Sequence, residues 1–321
     1  MADAQPGGAG AAQPAVVWPG YVLMALVALS WGFHWPLNKF ALPEIPPMTY
    51  RAAGVLFAGV VLLAIARLNG STLVIPKGER LRVTICAMFN IAGFHGTVAY
   101  GLYLMQASHS IIIAYTYPIW MVLLGRIVLG ERITATRTAA LVLGLAALVI
   151  LFYPADGRLE LPILGTAIMV VNALMWTAGT LYYKAHRWSL STLEMVGWQM
   201  LIGAVPLVIV AAVFEDLPAV GDVPTSALLA LVYSMIVAQA LAHWAWFRAL
   251  DYLSAVVASL ITLVNPVIGV LASAWIVDEP ITGQKLVALA CAVAALTITV
   301  VGSTGRGAPR HRHSREGGNP V

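Results

Sequence analysis

The stretch YPIWMVLLGRIVLGERIT, residues 117–134, has a diverged second copy, NPVIGVLASAWIVDEPIT, at residues 265–282. The two copies align without gaps, and three of their identical positions carry the comparison. The matched pairs are Pro118 with Pro266, Glu131 with Glu279, and Thr134 with Thr282. Matches in the same order over such a length indicate an internal repeat, which is the feature that decides the fold.

A second pair of segments extends the repeat to the beginning of each half. LSWGFHWPLNKF (29–40) aligns with LMWTAGTLYYKA (174–185), which matches the tryptophans and the lysines of the two segments. The offsets of the two alignments are 145 and 148 residues, so they describe one duplication. The chain therefore consists of two related halves.

The composition is that of a membrane protein. Hydrophobic residues make up 60% of the 321 residues and charged residues 10%, whereas soluble domains carry about 25% charged residues. The two cysteines, Cys86 and Cys291, lie inside apolar runs. We interpret them as small buried residues, because a disulfide framework or a zinc site needs more ligands at closer spacing.

Ten apolar segments are about 20 residues long, which is enough to cross the hydrocarbon core of a bilayer as a helix. They are predicted at 19–40, 47–68, 81–105, 109–129, 134–153, 162–184, 193–214, 225–248, 254–277 and 283–302. The predicted fold class is therefore an all-α integral membrane protein with ten transmembrane helices. An even number of spans places both termini on one side.

The distribution of Lys and Arg predicts which side that is. With these ten spans, 14 of the 18 basic residues lie on the side of the termini. The other four, assigned to the opposite side, are Lys39, Arg51, Arg158 and Lys285. The positive-inside rule then places both termini in the cytoplasm, which in a bacterium means a multi-pass protein of the inner membrane.

Five helices per half is an odd number, so the second half enters the membrane from the side opposite to the first. We predict two inverted five-helix repeats, 18–153 and 162–303, flanked by a disordered tail at 1–17 and a polar tail at 304–321. Inverted repeats are typical of secondary transporters, whose binding site lies near the midplane between the halves.

The duplicated order of W…K, then proline, then [GD]-E-x-I-T resembles the EamA-type transporters of the drug/metabolite transporter superfamily over about residues 18–303. Within that family the chain is most similar to YddG-type exporters of aromatic amino acids. The resemblance implies ten helices, cytoplasmic termini and export of small metabolites.

Charged side chains exclude some cargo classes. None of the 14 acidic residues falls in the middle of a predicted span, and the resemblance implies that small multidrug exporters need a buried carboxylate to exchange protons. A drug/proton antiporter of that type is therefore disfavoured. Mid-span Arg and Lys are also scarce, which argues against sugar-phosphate cargo.

Aromatic and neutral polar residues in the spans are the candidate binding residues, because polar groups inside a membrane are functional candidates by default. Several recur at helical spacing, as in the first, sixth and eighth spans. We predict that the substrate contacts Trp31, His34, Trp35, Asn38, His95, Tyr100, Tyr103, Tyr115, Tyr117, Trp176, Tyr183, Gln239, His243, Trp246 and Asn265. Such residues suit an aromatic or large neutral amino acid.

Other interpretations remain open for these residues. A single amide can simply bind a neighbouring helix, and Trp or Tyr near a span end can mark the membrane interface. The three histidines could form a proton relay. They lack the HxxxH spacing of a metal site, and we expect neither a metal nor another cofactor.

The predicted mechanism is alternating access, in which the two halves rock about a midplane cavity and Pro36, Pro118, Pro206 and Pro266 provide kinks. We expect facilitated export without tight proton coupling.

The expected partners are a small-molecule substrate and the lipid bilayer, and no nucleic acid. These features are compatible with a monomer. The rival cargoes are threonine or homoserine, cysteine-pathway metabolites, nucleosides and lipophilic drugs. A membrane-embedded transferase, with an acidic pair at Asp278–Glu279 or Glu215–Asp216, is the rival from another class.

Overall fold

Helices account for all the regular secondary structure in the described part of the chain. The structure is a computed structural model that describes residues 17–104, 110, 113–153, 162–276 and 281–304. In chain order the helices are α1 (Trp18–Ala41), α2 (Pro47–Leu68), α3 (Arg80–Ala87), π1 (Met88–Gly93), α4 (Phe94–Leu104), α5 (Tyr117–Val128), α6 (Ala135–Phe152), α7 (Ile163–Ala185), α8 (Thr192–Phe214), α9 (Thr225–Tyr233), π2 (Ser234–Leu241), α10 (Ala242–Ala249), α11 (Ala255–Ile261), α12 (Asn265–Ile276) and α13 (Gly283–Thr304).

Eight helical segments in the described ranges are long and apolar enough to cross a membrane. They are Trp18–Asn38, Pro47–Leu68, Arg80–Gly101, Ile163–Ala185, Thr192–Phe214, Thr225–Ala249, Ala255–Ile276 and Gly283–Gly302. Two shorter apolar helices, Tyr117–Val128 and Ala135–Leu151, occupy the places of the fourth and fifth predicted spans. The all-helical membrane architecture is confirmed, while the number of ten spans stays a prediction.

Several predictions fall on residues outside the described ranges. They concern the two tails, the loop that contains Arg158, and the acidic pair Asp278–Glu279. The second copy of the GERIT motif therefore cannot be compared with the first in three dimensions.

Prolines and hydroxyl residues define many helix ends. Proline occupies one of the first two positions of α1, α2 and α5, where its missing N–H removes no helical hydrogen bond. Ser191 caps α8 in a reciprocal capping box with Glu194, and the Thr134 hydroxyl accepts a hydrogen bond from the backbone of Arg137 at the start of α6. Gly130 follows α5 with a φ of +66°, a conformation that favours glycine.

Three spans depart from a regular α-helix. The third changes from α3 through π1 to α4, and the eighth changes from α9 through π2 to α10. The ninth is interrupted by the 3₁₀ turn Thr262–Val264 before α12 begins. π-Helical segments are uncommon and often mark functional sites. Of the predicted kink positions, Pro36 and Pro206 lie within α1 and α8, whereas Pro118 and Pro266 each follow the first residue of a helix.

The core forms where helices of the first half of the chain meet those of the second. The most extensive contacts join α2 to α8 and α6 to α13, while α1 packs against α10 and α12. Buried amides tie these helices together, since Asn90 Nδ2 donates to Gln199 Oε1 at 2.9 Å and Asn172 Nδ2 donates to the Phe94 carbonyl at 2.7 Å. Large apolar side chains such as Ile163, 90% exposed, remain on the outer surface, as lipid-facing residues do.

Candidate functional site

Three tryptophans from three helices pack together in the core and form what we call the tryptophan cluster. Trp31 of α1, Trp176 of α7 and Trp246 of α10 have ring centroids 5.4–6.0 Å apart. Trp246 is fully buried, and Trp176 is 2% exposed. Rings at these separations and tilts stabilise one another beyond the area that they bury.

Aromatic packing continues from the tryptophan cluster towards the carboxyl end of α7. The Phe247 ring lies 6.5 Å from Trp176 and 4.8 Å from Tyr183. Tyr183 in turn stacks on Trp188 at 5.9 Å. This side of the cluster is therefore filled with packed rings.

A cavity opens on another side of the cluster. Its volume is about 100 Å³, several times the roughly 10–15 Å³ that one water molecule requires by the same measure. The lining residues are Trp31, His34, Asn38, Arg51, Phe94, His95, Val98, Ala114, Tyr115, Tyr117, Trp176, Ala238, Gln239, His243 and Asn265. The cavity can thus hold a solute of several non-hydrogen atoms.

Two histidines of the lining, His95 and His243, lie next to each other with ring centroids 5.6 Å apart. His95 is the second residue of α4 and His243 the second residue of α10, and both helices follow a π-helical segment. The two positions are 148 residues apart, which is one of the offsets of the sequence repeat. The π segments therefore place an imidazole at matching points of the two halves.

Hydrogen bonds orient the rings around the cavity. The Ala238 carbonyl, within π2, accepts from Trp31 Nε1 at 2.9 Å and from His243 Nδ1 at 3.1 Å. A carbonyl can only accept, so His243 carries its proton on Nδ1 and, as a neutral ring, offers Nε2 as an acceptor. His34 Nε2 lies 3.0 Å from the Tyr50 hydroxyl and 3.1 Å from the Ser234 hydroxyl, and these contacts join α1, α2 and π2.

Several polar atoms of the lining residues have no hydrogen-bond partner among the described residues. They are Asn38 Oδ1, His95 Nδ1 and Nε2, Gln239 Oε1, His243 Nε2, and Asn265 Oδ1 and Nδ2. A buried polar group without a partner destabilises a fold by about 1–3 kcal/mol. A solute bound in the cavity would be able to satisfy these groups of the lining.

Two interrupted helices meet at the cavity wall. Tyr117 and Asn265 are the first residues of α5 and α12, and each is followed by a proline. The Tyr117 hydroxyl forms a hydrogen bond with the Thr262 hydroxyl at the break before α12. Tyr115, whose ring lies 6.2 Å from that of Tyr117, completes this wall.

Ten of the fifteen predicted site residues line the cavity: Trp31, His34, Asn38, His95, Tyr115, Tyr117, Trp176, Gln239, His243 and Asn265. Their role in substrate binding stays a prediction. Trp246 and Tyr183 lie behind the lining, within the packed rings. Tyr100 is 46% exposed and is not a lining residue. Trp35 and Tyr103 belong to α1 and α4, but their side chains lie outside the described part of the structure.

Arg51 is a lining residue that the sequence argument missed. The charge count assigned it to the opposite side of the membrane, but it lies inside α2, is 6% exposed and lines the cavity. The count used Arg51 only as a marker of membrane side and took no account of its burial. The predicted span 47–68 already contained Arg51, and a buried arginine there was a functional signal. Phe94, Val98, Ala114 and Ala238 also line the cavity, and nothing in their residue types distinguishes them.

Lys184 forms hydrogen bonds with the end of a neighbouring helix. Its Nζ donates to the carbonyls of Leu250 and Leu253, at the end of α10 and in the loop that follows. A cation there satisfies carbonyls that a helix end leaves free. Its repeat partner Lys39 has no described side chain.

The described lining contains no carboxylate, so the cavity's formal charge comes from Arg51 alone if the histidines are neutral. Within the described ranges, no group of three or more His, Cys, Asp or Glu residues could hold a metal ion. The chemistry available to the cavity is therefore aromatic stacking, hydrogen bonding by amides and imidazoles, and one guanidinium.

Comparisons with known proteins cover nearly the whole described chain. The sequence profile described as "EamA-like transporter family" matches residues 18–153 and 163–301. The chain is 25% identical to "Uncharacterized transporter YvbV" of Bacillus subtilis, over 86% of this chain and 90% of that protein. It is 22% identical to the "Probable amino-acid metabolite efflux pump" of Escherichia coli, over 88% of this chain and 94% of that protein.

A solved crystal structure has a similar fold. It matches with a TM-score of 0.78 at 20% sequence identity, over 89% of this chain and 98% of the other. At that identity the likeness concerns the fold alone. A coverage of 89% of this chain includes residues of both halves.

Proposed function

The chain belongs to the EamA-like transporter family, and from that premise we propose that it exports aromatic or large neutral amino acids through the cavity. The observation that carries the proposal is the combination of aromatic walls with partnerless amide and imidazole atoms in one buried space. Trp31 and Trp176 offer ring faces to an apolar side chain. The amides and imidazoles offer donors and acceptors to the polar end of the same molecule.

The name of one relative supports the same class of cargo. The Escherichia coli protein is called an amino-acid metabolite efflux pump, whereas other relatives are named only as uncharacterized transporters. We propose a YddG-type preference for aromatic cargo because of the three clustered tryptophans. Threonine or homoserine, cysteine-pathway metabolites, nucleosides and lipophilic drugs are the alternative cargoes.

We propose ten membrane-spanning helices in two inverted repeats, and matching features of the two halves support this. π1 and π2 begin 146 residues apart, and the helices that follow them begin 148 residues apart. Contacts between helices also occur in matching pairs. The contact of α1 with α10 corresponds to that of α7 with α4, and the contact of α1 with α12 corresponds to that of α7 with α5.

The proposed mechanism is alternating access, which two polar ties between the halves would regulate. On the side of the termini, Glu131 accepts from the Ala255 backbone at 3.0 Å and pairs with Arg137 at 3.3 Å, and Arg137 donates to Ser254 at 3.1 Å. On the other side, Glu215 accepts from the Met48 and Thr49 backbones. In the proposed cycle the halves rock and these ties break in alternation.

We further propose that both termini face the cytoplasm of a bacterial cell and that the protein resides in the inner membrane, in agreement with the distribution of basic residues. Transport is facilitated and downhill, since no described lining residue is a carboxylate that could exchange protons. A monomer is sufficient, because one chain supplies the whole lining.

A membrane-embedded transferase is less well supported. The relatives reported above are named as transporters or an efflux pump. Glu215, one of the acidic residues considered for catalysis, accepts hydrogen bonds from Met48, Thr49 and the Thr49 hydroxyl at 2.7–2.9 Å. Both oxygens of this carboxylate are therefore used to cap α2.

Counterflow of labelled amino acids in proteoliposomes tests the proposal. We expect the wild type to exchange phenylalanine and tryptophan faster than threonine or nucleosides. Trp176→Ala and His95→Ala should lower that exchange roughly tenfold, since each removes a stacking or hydrogen-bonding contact of about 1.4 kcal/mol. Trp176→Phe serves as the milder variant, because it keeps an aromatic ring at the position.

Matched controls come from exposed aromatic positions. Trp275→Ala, at 78% exposure, and Tyr100→Ala, in the same helix as His95, should exchange like the wild type. The proposal fails if the wild type exchanges no aromatic amino acid. The assignment of the cavity fails if folded Trp176 and His95 variants match the wild type. A strict requirement for a pH gradient would contradict the downhill mechanism.

A further inference from the structure

Arg51 is a buried cation without an anion. It is 6% exposed, lies near the beginning of α2 and lines the cavity. Among the described residues, no side chain or backbone group accepts a hydrogen bond from its guanidinium. The recorded ring contact is with Tyr50, whose centroid lies 5.9 Å from the guanidinium carbon. An arginine in a membrane interior is energetically costly and therefore marks a functional site.

The ion pairs elsewhere in the described ranges do not involve Arg51. Arg137 pairs with Glu131, and Arg248 pairs with Asp251. Glu215 contacts the first turn of α2, but it accepts hydrogen bonds from Met48 and Thr49 instead. The charge of Arg51 is thus left for something that enters the cavity.

We propose that Arg51 binds the carboxylate of the transported molecule, so that the cavity is specific for monocarboxylates. The inference rests on the proposed function and assigns one end of its substrate. A guanidinium presents a planar fork of N–H donors that fits the two oxygens of a carboxylate. A single arginine matches one negative charge, whereas a sugar phosphate would favour several cations.

The neighbouring groups suit the rest of an amino acid. Asn265 Oδ1 and Gln239 Oε1 are partnerless acceptors that can receive N–H groups of an ammonium. The rings of Trp31 and Trp176 can hold the side chain, and an ammonium can also lie on a ring face. Because Arg51 makes the empty cavity positive, the cavity attracts an ammonium group only when the same molecule also carries a carboxylate. Amines without a carboxylate should therefore be rejected.

Competition against labelled phenylalanine counterflow tests the assignment. In the wild type we expect unlabelled phenylalanine to compete and phenylalanine amide, which lacks the carboxylate, to compete far less. In Arg51→Gln the concentration of phenylalanine required for half-inhibition should rise roughly 10-fold to 100-fold, the effect of losing a charge-assisted hydrogen bond. Phenylalanine amide should bind Arg51→Gln no worse than it binds the wild type. Arg51→Lys should keep part of the preference for phenylalanine over its amide.

Folding is controlled within the same helix. Arg67→Gln removes an exposed arginine near the end of α2 and should leave both competition curves unchanged. If flux through Arg51→Gln is too low to measure, the shift in melting temperature of the purified protein with phenylalanine or its amide replaces it. The shift in melting temperature that phenylalanine produces should be lost in Arg51→Gln and retained in Arg67→Gln.

The outcomes separate this inference from the proposed function. If folded Arg51→Gln binds phenylalanine as tightly as the wild type, the carboxylate assignment is overturned and amino acid export stands. If the wild type responds to small hydroxy acids but not to aromatic amino acids, and loses that response in Arg51→Gln, the proposed cargo is wrong and the carboxylate site stands.

Discussion

The tryptophan cluster and the polar wall of the cavity are adjacent but differ in what their buried side chains contact. The Trp246 ring packs on other rings, although its Nε1 has no hydrogen-bond partner among the described residues. Trp246 has no exposed surface and lies between other rings. Asn265 is equally buried, yet neither atom of its amide has a partner among the described residues. Two completely buried side chains can therefore have opposite effects on stability, because packed rings stabilise the fold whereas amides without partners destabilise it.

That difference distinguishes Trp246, which builds the core behind the lining, from the polar residues that are available to the cargo, whereas Trp31 and Trp176 belong to both regions. Substitutions in the cluster should lower the free energy of unfolding and thereby lower transport. Substitutions in the polar wall should lower transport while stability stays the same or rises. Measuring both quantities for each variant tests the distinction.

The largest effect should come from the cluster. Trp246→Ala leaves a void in the core, and loss of a buried tryptophan costs about 3–5 kcal/mol. We expect a markedly lower melting temperature in detergent. The control is Trp275→Ala, which removes a ring that is 78% exposed and should melt like the wild type. Equal melting temperatures for both variants would show that the cluster does not support the fold.

An intermediate effect should separate two buried asparagines. Asn172 Nδ2 donates to the Phe94 carbonyl at 2.7 Å and to the Thr97 hydroxyl at 2.9 Å, so Asn172→Leu should destabilise the protein by about 1–2 kcal/mol. Asn265→Leu removes partnerless atoms of the same residue type and should leave the melting temperature unchanged or raise it, while phenylalanine exchange decreases. If Asn265→Leu is the less stable variant, the distinction between the two regions fails.

The smallest effect concerns Tyr117, which lines the cavity but has a partner for its hydroxyl. The hydrogen bond to the Thr262 hydroxyl joins two interrupted helices. Interhelical hydrogen bonds of membrane proteins contribute about 0.6 kcal/mol on average. A double-mutant cycle of Tyr117→Phe with Thr262→Val should give a coupling energy of that size. A coupling near zero would place Tyr117 with the partnerless polar wall.

Most of the helical organisation could be predicted from the sequence, because apolar length determines where a span can lie. The predicted segment 47–68 coincides with α2, and most other boundaries differ by only one or two residues, the exception being the fourth segment, predicted from 109, where α5 begins at Tyr117. The π-helical segments could not be predicted, since a change in backbone hydrogen-bond register leaves no sequence pattern that we recognise. Yet these segments position His95 and His243, the two neighbouring imidazoles of the cavity.

Candidate site residues could be predicted as a set, but the sequence does not show which of them reach the cavity surface and which lie behind it. The helical spacing of Gln239, His243 and Trp246 indicates a common face. Of these, Gln239 and His243 line the cavity, whereas Trp246 lies beneath it. Depth is decided by the helices that pack on that face, and spacing within one helix does not report it. Arg51 escaped prediction because its charge was interpreted as a topological signal.

The contacts of Lys184 have a consequence for its chemical reactivity. Its Nζ donates to the carbonyls of Leu250 and Leu253, so its N–H groups are engaged and the side chain is held in place. Acylating reagents require an accessible amine, which an exposed lysine such as Lys77 provides. Lys184 is therefore a protected nucleophile, which becomes available only when α7 separates from the end of α10.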